Sequence, residues 1–179
     1  FAKTISEIKK LSPIIKVEVL TPDFNGSVNL IKNVIDAGPH VMNHNIETVR
    51  RVFKKVRPKG NYDLSLNFLS DSKKIKPDLP TKSGMMVGLG ETKDEVIETM
   101  KDLRDHQCDL LTIGQYLRPS KKHHPIIKFY NPREFTEFQN IGLDMGFSHV
   151  AAGPLVRSSY HADEQHNAAV EKLINQIKS

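Results

Sequence analysis

The apolar residues of this chain change their spacing repeatedly, from every second residue to every third or fourth and back. A period of two marks a half-buried strand and a period near 3.6 an amphipathic helix, so the order of the switches constrains the fold class. Ile15, Val17 and Val19 alternate with Lys16 and Glu18 as a strand, and Val28, Ile31, Val34 and Ile35 then line a helix that Gly38-Pro39 ends. A short strand around His40–Asn43 precedes a helix on Ile46, Val49, Val52, Phe53 and Val56, closed by Pro58 and Gly60. Tyr62–Ser70 fits both periods and is read as helix, because the next clear strand is Met85–Val87. Thr92-Lys93-Asp94-Glu95 is a capping box in front of Val96, Met100 and Leu103. After a strand at Leu110–Ile113, Asn131-Pro132-Arg133-Glu134 starts a helix whose face is Phe135, Phe138, Ile141 and Met145. His149–Ala151 reads as the last strand, and Val170, Leu173, Ile174 and Ile177 as the face of a terminal helix.

Strands alternating with helices imply an α/β fold around a parallel sheet, open or curved into part of a barrel. Five strand candidates are too few for a full eight-stranded barrel, so either the sheet is small or strands precede Phe1. At 179 residues, 38% hydrophobic and 26% charged, the chain is the size of one globular domain and is not disordered. No run approaches the roughly 20 apolar residues of a membrane helix. The formal charge is +5, with lysines spread in short pairs such as Lys54-Lys55, Lys73-Lys74 and Lys121-Lys122. Such a balance can attract nucleic acid or an acidic protein, but a solvated basic surface is the simpler reading and no nucleic-acid partner is expected. Cys108 is alone, which excludes an internal disulfide and fits a reducing compartment; where it sits, a buried structural thiol is expected. Phe1-Ala2-Lys3 opens no secretory signal, and a cut or processed N-terminus is the simplest explanation.

Ligands of parallel α/β folds meet the carboxyl ends of the strands, and three segments fall there. Met42-Asn43-His44-Asn45-Ile46-Glu47 offers donors and acceptors for a ribose or a carboxylate, although Asn45 could merely cap a helix and His44 be a satisfied loop residue. Lys82-Ser83-Gly84-Met85-Met86-Val87-Gly88-Leu89-Gly90-Glu91-Thr92 has glycines that let backbone approach a ligand, and leads into a capped helix. A tight strand-to-helix turn explains those glycines equally well, and neither a dinucleotide nor a phosphate-loop fingerprint is present. Ile113-Gly114-Gln115-Tyr116-Leu117-Arg118-Pro119-Ser120 supplies Arg118 for a carboxylate or phosphate, followed by His123 and His124, which alone make a poor metal site. Further on, the Ser158-Ser159 pair in front of a helical segment has the composition of a helix cap.

Read together, these segments resemble lipoyl synthases, a family of radical S-adenosylmethionine enzymes. The runs that carry the resemblance are Asn43-His44-Asn45-Ile46-Glu47-Thr48-Val49, Thr81–Thr92, Cys108–Leu117 with Pro119-Ser120, Met145-Gly146-Phe147 and Gly153-Pro154-Leu155-Val156-Arg157-Ser158-Ser159-Tyr160-His161-Ala162-Asp163. They keep the family's order over about Val17 to Asp163. The resemblance implies a partial parallel (β/α) barrel of radical-SAM type missing its N-terminal strands, with 1–179 the C-terminal part of one domain and 147–179 an extension carrying the arginine-serine-serine-tyrosine motif. It implies insertion of two sulfur atoms into an octanoyl chain on a protein lysine, using S-adenosylmethionine and two 4Fe-4S clusters. Gly84, Met86, Gly88 and Glu91 match the superfamily's glycine–glutamate motif beside the adenine. Asn43 and Asn45 are expected to contact the ribose or amino-acid part, and Ser159 to be a metal ligand, completing the auxiliary cluster. No catalytic residue is identifiable. The implied partners are octanoylated lipoyl-carrier domains (the 2-oxoacid dehydrogenase E2 component, the glycine-cleavage carrier) and an electron donor such as ferredoxin or flavodoxin. The His161-Ala162-Asp163 ending favours a bacterial, cytoplasmic protein over a mitochondrial or plastidial one.

One departure matters for activity. The family's cysteine triplets, spaced C-x4-C-x5-C and C-x3-C-x2-C, are absent, and Cys108 matches a position outside them. Neither cluster is therefore expected on the isolated chain, which is expected to be inactive by itself and poorly soluble. Two alternatives stand beside this reading. One is a non-catalytic remnant or a split subunit; the other is a small α/β domain that binds a nucleotide or phosphate without clusters.

Overall fold

The computed structural model describes residues 1–160 and 162–178, together with side chains up to residue 172. Helix α1 (Ala2–Leu11) leads into strand β1 (Glu18–Leu20). A one-turn 3-10 helix at Phe24–Gly26 precedes α2 (Val28–Asp36), β2 (Val41–Asn43), α3 (Arg50–Val56) and α4 (Tyr62–Ile75). Then follow β3 (Thr81–Val87), α5 (Lys93–Asp105), β4 (Leu110–Gln115), α6 (Pro132–Asp144), β5 (His149–Gly153) and α7 (Ala162–Lys178). The ambiguous segment after Asn61 is helical, and the capping boxes at Thr92 and Asn131 form with both reciprocal hydrogen bonds. The terminal helix is present; the apolar face expected on Leu173, Ile174 and Ile177 lies outside the described residues, as does His161.

All four strand pairings are parallel and the order is β1-β2-β3-β4-β5. This order decides between the two sheet shapes that the sequence left open. With right-handed crossovers throughout, sequential parallel strands place every crossover helix on the same face, as in a barrel wall, rather than on both faces. The sheet remains open, with β1 and β5 as its edges.

Period-two alternation divides each strand between two environments. Val19, Met42, Met85, Val87, Leu111, Ile113 and Val150 join the main core with the crossover helices. Each such side chain removed from water contributes about 1.5–3 kcal/mol. The register aligns Asn43 with Lys82, Gly84 with Thr112 and Gly114 with Gly153 on the opposite face, which is therefore lined by small and polar groups. Part of this second face is covered by α7, whose Ala169 packs with Val41 and Leu110. Lys82 is fully buried there, 3.0 Å from the Glu18 carboxylate, whose other oxygen accepts the Asn43 amide at 2.9 Å. Burial lowers the proton affinity of Lys82, and Glu18 opposes that effect. A buried cation with a paired anion and a hydrogen-bonded amide is a tolerable way to fill a face that the core does not reach.

Candidate functional site

At the carboxyl end of β2 the chain does not turn directly into a helix. His44 N–H donates to Lys82 O (3.1 Å), Glu47 N–H to Gly84 O (3.0 Å), and Met86 N–H to Glu47 O (2.8 Å), so residues 44–47 prolong the pairing with β3. Glu47 adopts φ +69°, a left-handed backbone uncommon for a residue with a side chain. This path sends alternate side chains to opposite sides. His44 enters the helical layer, with Nδ1 on Thr21 O (2.8 Å) and Nε2 on Ser65 Oγ (3.0 Å), and burial lowers its pKa below the ordinary value. It is the satisfied loop histidine. Asn45 instead faces Gly84 and Thr112, and its buried Oδ1 has no hydrogen-bond partner among the described residues.

Gly84 is glycine for a local reason. A Cβ there would lie 2.8 Å from both Asn45 Oδ1 and Thr112 Oγ1, so any side chain would fill the space between two polar groups. On β4 a Cβ at Gly114 would strike the Val156 carbonyl, because the segment after β5 crosses over this strand end. Asn45, Glu47, Gly84, Met86, Thr112 and Arg157 thereby come together around a cavity of 230 Å³ at the carboxyl end of β3 and β4. Among the described residues that line it, Glu47 is the single carboxylate. Burial raises its pKa above the ordinary value, while Arg57 and the Asn45 side chain act in the opposite sense. Arg157 is exposed at the rim and donates to Val156 O (2.7 Å).

The other expected site residues stand behind or beside this cavity. Glu91 is buried and accepts Gly88 N–H (2.6 Å) on one oxygen and Leu89 N–H (2.9 Å) on the other, so it ties the turn after β3 to itself. Gly88 has φ +107°, and a Cβ there would collide with Gln115 Nε2 and Lys128 O; its openness serves the protein's own packing. Asn43 sits deeper on the same face, in the Glu18–Lys82 pair. Ser158 lines the cavity, whereas Ser159 is exposed in the turn at 158–160. Arg118 spends its guanidinium on His123 O (2.9 Å) and Lys121 O (2.5 Å) within its own loop. Cys108 is buried and donates to Leu110 O (3.2 Å), and burial pushes its thiol pKa far up, as expected of a structural thiol. Reasoning from sequence did not single out Glu47, Arg57 or Thr112; for Glu47 the available signal was its place two residues past Asn45 at a strand end.

A sequential, one-sided parallel sheet that leaves a polar cavity at the carboxyl ends of its strands defines a class of barrel-like ligand-binding α/β proteins. The chain belongs to the radical SAM superfamily, whose family model matches residues 1–103. It is 54% identical over 169 residues to the lipoyl synthase of Shouchella clausii (strain KSM-K16), covering 94% of this chain and 55% of that protein. The lipoyl synthase of Bacillus cereus (strain G9842) is also 54% identical, over 172 residues, 96% of this chain and 58% of the relative. The chain thus spans a little over half the length of the curated relatives it matches. Among solved structures, methylornithine synthase (PylB) superposes over 99% of this chain and 62% of its own with a TM-score of 0.60; at 12% identity this likeness speaks for the fold alone.

The superfamily implies S-adenosylmethionine and an iron–sulfur cluster, and the two fit these residues differently. The unpartnered Asn45 Oδ1, the hollow at Gly84 and a facing carboxylate and guanidinium suit a small zwitterionic nucleoside. The described residues do not by themselves offer a seat for a cluster. Among the described residues no group of three or more His, Cys, Asp and Glu is placed to hold a metal, and the single thiol is buried. Among the same residues, no helix is long and apolar enough to cross a membrane.

Proposed function

We propose that the native protein to which this chain belongs is a lipoyl synthase, and that the cavity beside Asn45 is its S-adenosylmethionine site. The observation that carries the assignment of the cavity is the buried, unpartnered Asn45 Oδ1 facing the hollow at Gly84. A buried carbonyl left without a donor is costly, and a ligand amino or hydroxyl group would satisfy it. Asn45, Gly84 and Met86 touch the nucleoside. Glu47 faces the ligand's ammonium or sulfonium and Arg157 its carboxylate. Asn43, Gly88 and Glu91 serve the site from behind, Asn43 through the Glu18–Lys82 pair and the other two by fixing the turn after β3. When bound, S-adenosylmethionine supplies the oxidising power that removes hydrogen from an unactivated carbon.

The whole enzyme would replace one hydrogen by sulfur at each of two carbons of an octanoyl chain held on a protein lysine. Ser159 is proposed as the one metal ligand contributed by this chain, from an exposed turn beside the cavity. Residues 147–179 form the extension that delivers it, and lipoyl-carrier domains and a ferredoxin or flavodoxin donor are the proposed partners, in a bacterial cytoplasm. The identity to lipoyl synthases along 94–96% of the chain supports this reading over a generic nucleotide-binding domain.

The test uses the full-length native protein, reconstituted anaerobically with iron, sulfide, S-adenosylmethionine, a reductant and an octanoylated carrier domain. Mass spectrometry is expected to show the carrier gaining two sulfurs as the dithiol, and becoming two hydrogens lighter once it is oxidised to the disulfide. Asn45→Ala and Gly84→Val should each weaken S-adenosylmethionine binding by about tenfold or more, the scale of one lost polar contact or one filled hollow. A carrier of unchanged mass, with S-adenosylmethionine bound equally by both variants, would refute the proposal.

A further inference from the structure

The chain's positive charge is not spread evenly, and its location is not used by the cavity. Residues 48–62, which include α3, and 116–131, the loop between β4 and α6, hold ten of the 26 Lys and Arg and none of the 21 Asp and Glu. The rest of the chain therefore carries 16 cations against 21 anions and is net acidic. The two basic segments flank a groove of 570 Å³ that receives Lys55, Arg57, Lys122 and His123. Lys55 and Lys122 are exposed and, among the described residues, form no ion pair with a carboxylate. Other cations of the segments are committed elsewhere: Arg50 and Arg51 pair with Asp63 and Glu95, and Lys128 with Glu134.

The groove is also partly apolar. Val56, Pro58 and Pro119 line it, and Leu117 on its wall is 49% exposed, with Ile127 and Phe129 exposed farther along the same loop. An apolar centre inside a charged rim has the anatomy of a protein-docking surface. Nucleic acid is the weaker fit, because Arg118, the residue best shaped to grip phosphate, is bound to its own loop carbonyls. Finally, the groove is continuous with the cavity, since Glu47, Met86 and Leu117 line both.

From this placement we infer that the groove between α3 and the β4–α6 loop is the docking surface for a folded protein partner with an acidic face. That partner is seated so that a side chain carrying a long acyl group passes over Leu117 and Met86 into the cavity. The inference rests on the proposed function for the identity of the partner, which is then the octanoylated carrier domain. The charge asymmetry steers the encounter and the apolar centre retains the partner.

Binding of an octanoylated lipoyl-carrier domain to the full-length protein is measured by fluorescence anisotropy at about 50 and 200 mM salt, beside turnover of the same domain and of a short octanoyl-lysyl peptide without acidic residues. The double reversal Lys55→Glu with Lys122→Glu is expected to weaken carrier binding at least tenfold at low salt and to flatten its salt dependence. Lys55→Arg with Lys122→Arg should bind like the parent, and so should Lys3→Glu with Lys10→Glu on α1. In turnover, kcat/KM for the carrier falls with the reversal while that for the peptide stays put. Carrier binding unaffected by the reversal overturns the docking surface, and so does an equal loss with the peptide. A single-stranded oligonucleotide that binds as tightly as the carrier, and loses affinity with the same reversal, overturns it in favour of nucleic acid. Charge-dependent carrier binding without any turnover would leave the docking surface standing and refute the enzymatic reading instead.

Discussion

Glu47 is where backbone, burial and charge converge. Its left-handed φ lets one residue bond Gly84 and Met86 while aiming a carboxylate at the cavity. Such strain persists where neighbouring structure over-determines it, and it is frequent at binding sites. Burial raises the folded pKa of this carboxyl above the ordinary carboxylate range. An acid raised in the folded state contributes stability that is fully present below its unfolded pKa and is lost as pH climbs through the folded value. Glu47→Gln imitates the protonated form and removes that loss. The variant is therefore expected to be more stable than the parent near neutral pH, with the advantage vanishing towards about pH 4. Urea midpoints at the two pH values measure it. A glutamine variant that is less stable at neutral pH would mean that pairing with Arg57 outweighs burial, reversing the order of causes.

At the scale of elements, the turn that closes β3 shows what a recognisable motif does physically. Glu91 satisfies two N–H groups of a turn that would otherwise be buried without partners, and no ligand is needed for this role. Glu91→Ala should therefore destabilise the ligand-free protein by about 2–4 kcal/mol, the cost of two charge-assisted hydrogen bonds and two orphaned donors. Chemical unfolding without S-adenosylmethionine measures this, and a loss below about 0.5 kcal/mol would return Glu91 to direct ligand contact. The glycines and the carboxylate of this turn are legible in the sequence, but the direction of the carboxylate is not. The same limit explains the element boundaries. The sequence marks strand β3 only from Met85, but the strand begins at Thr81, because Thr81, Lys82 and Ser83 look like a polar loop until Glu18, 64 residues away, pairs with the buried lysine. The helix read from Ile46 begins at Arg50, since residues 44–47 bond to β3, a partner that periodicity does not reveal. Helix α1 leaves no such signal: in it only Ile5 is buried, too sparse a stripe to stand out. Where apolar spacing was dense, as in α2, α5 and α6, the reading and the structure coincide.

Among the described residues the sheet is a barrel wall with β1 and β5 as its edges. Strand β1 is only three residues long, and exposed apolar groups cluster around it: Leu11 at 86%, Ile14 at 87%, Ile15 at 47% and Leu20 at 47%. An unpaired parallel edge bordered by apolar side chains is a template for another chain. The isolated 179-residue chain should accordingly self-associate with rising concentration, eluting above monomer size at about 100 µM and less so at 1 µM, by mass action. Ile15→Lys with Leu20→Lys places two charges along that edge and should return the chain to a monomer, because inward or edge lysines block strand addition. Association through the basic groove would behave differently, weakening with salt and with the Lys55 and Lys122 reversals. Light scattering of the parent, the edge variant and the groove variant therefore separates the two surfaces. A parent chain that stays monomeric throughout the range would show that three strand residues are too few to recruit a neighbour, whatever apolar surface surrounds them.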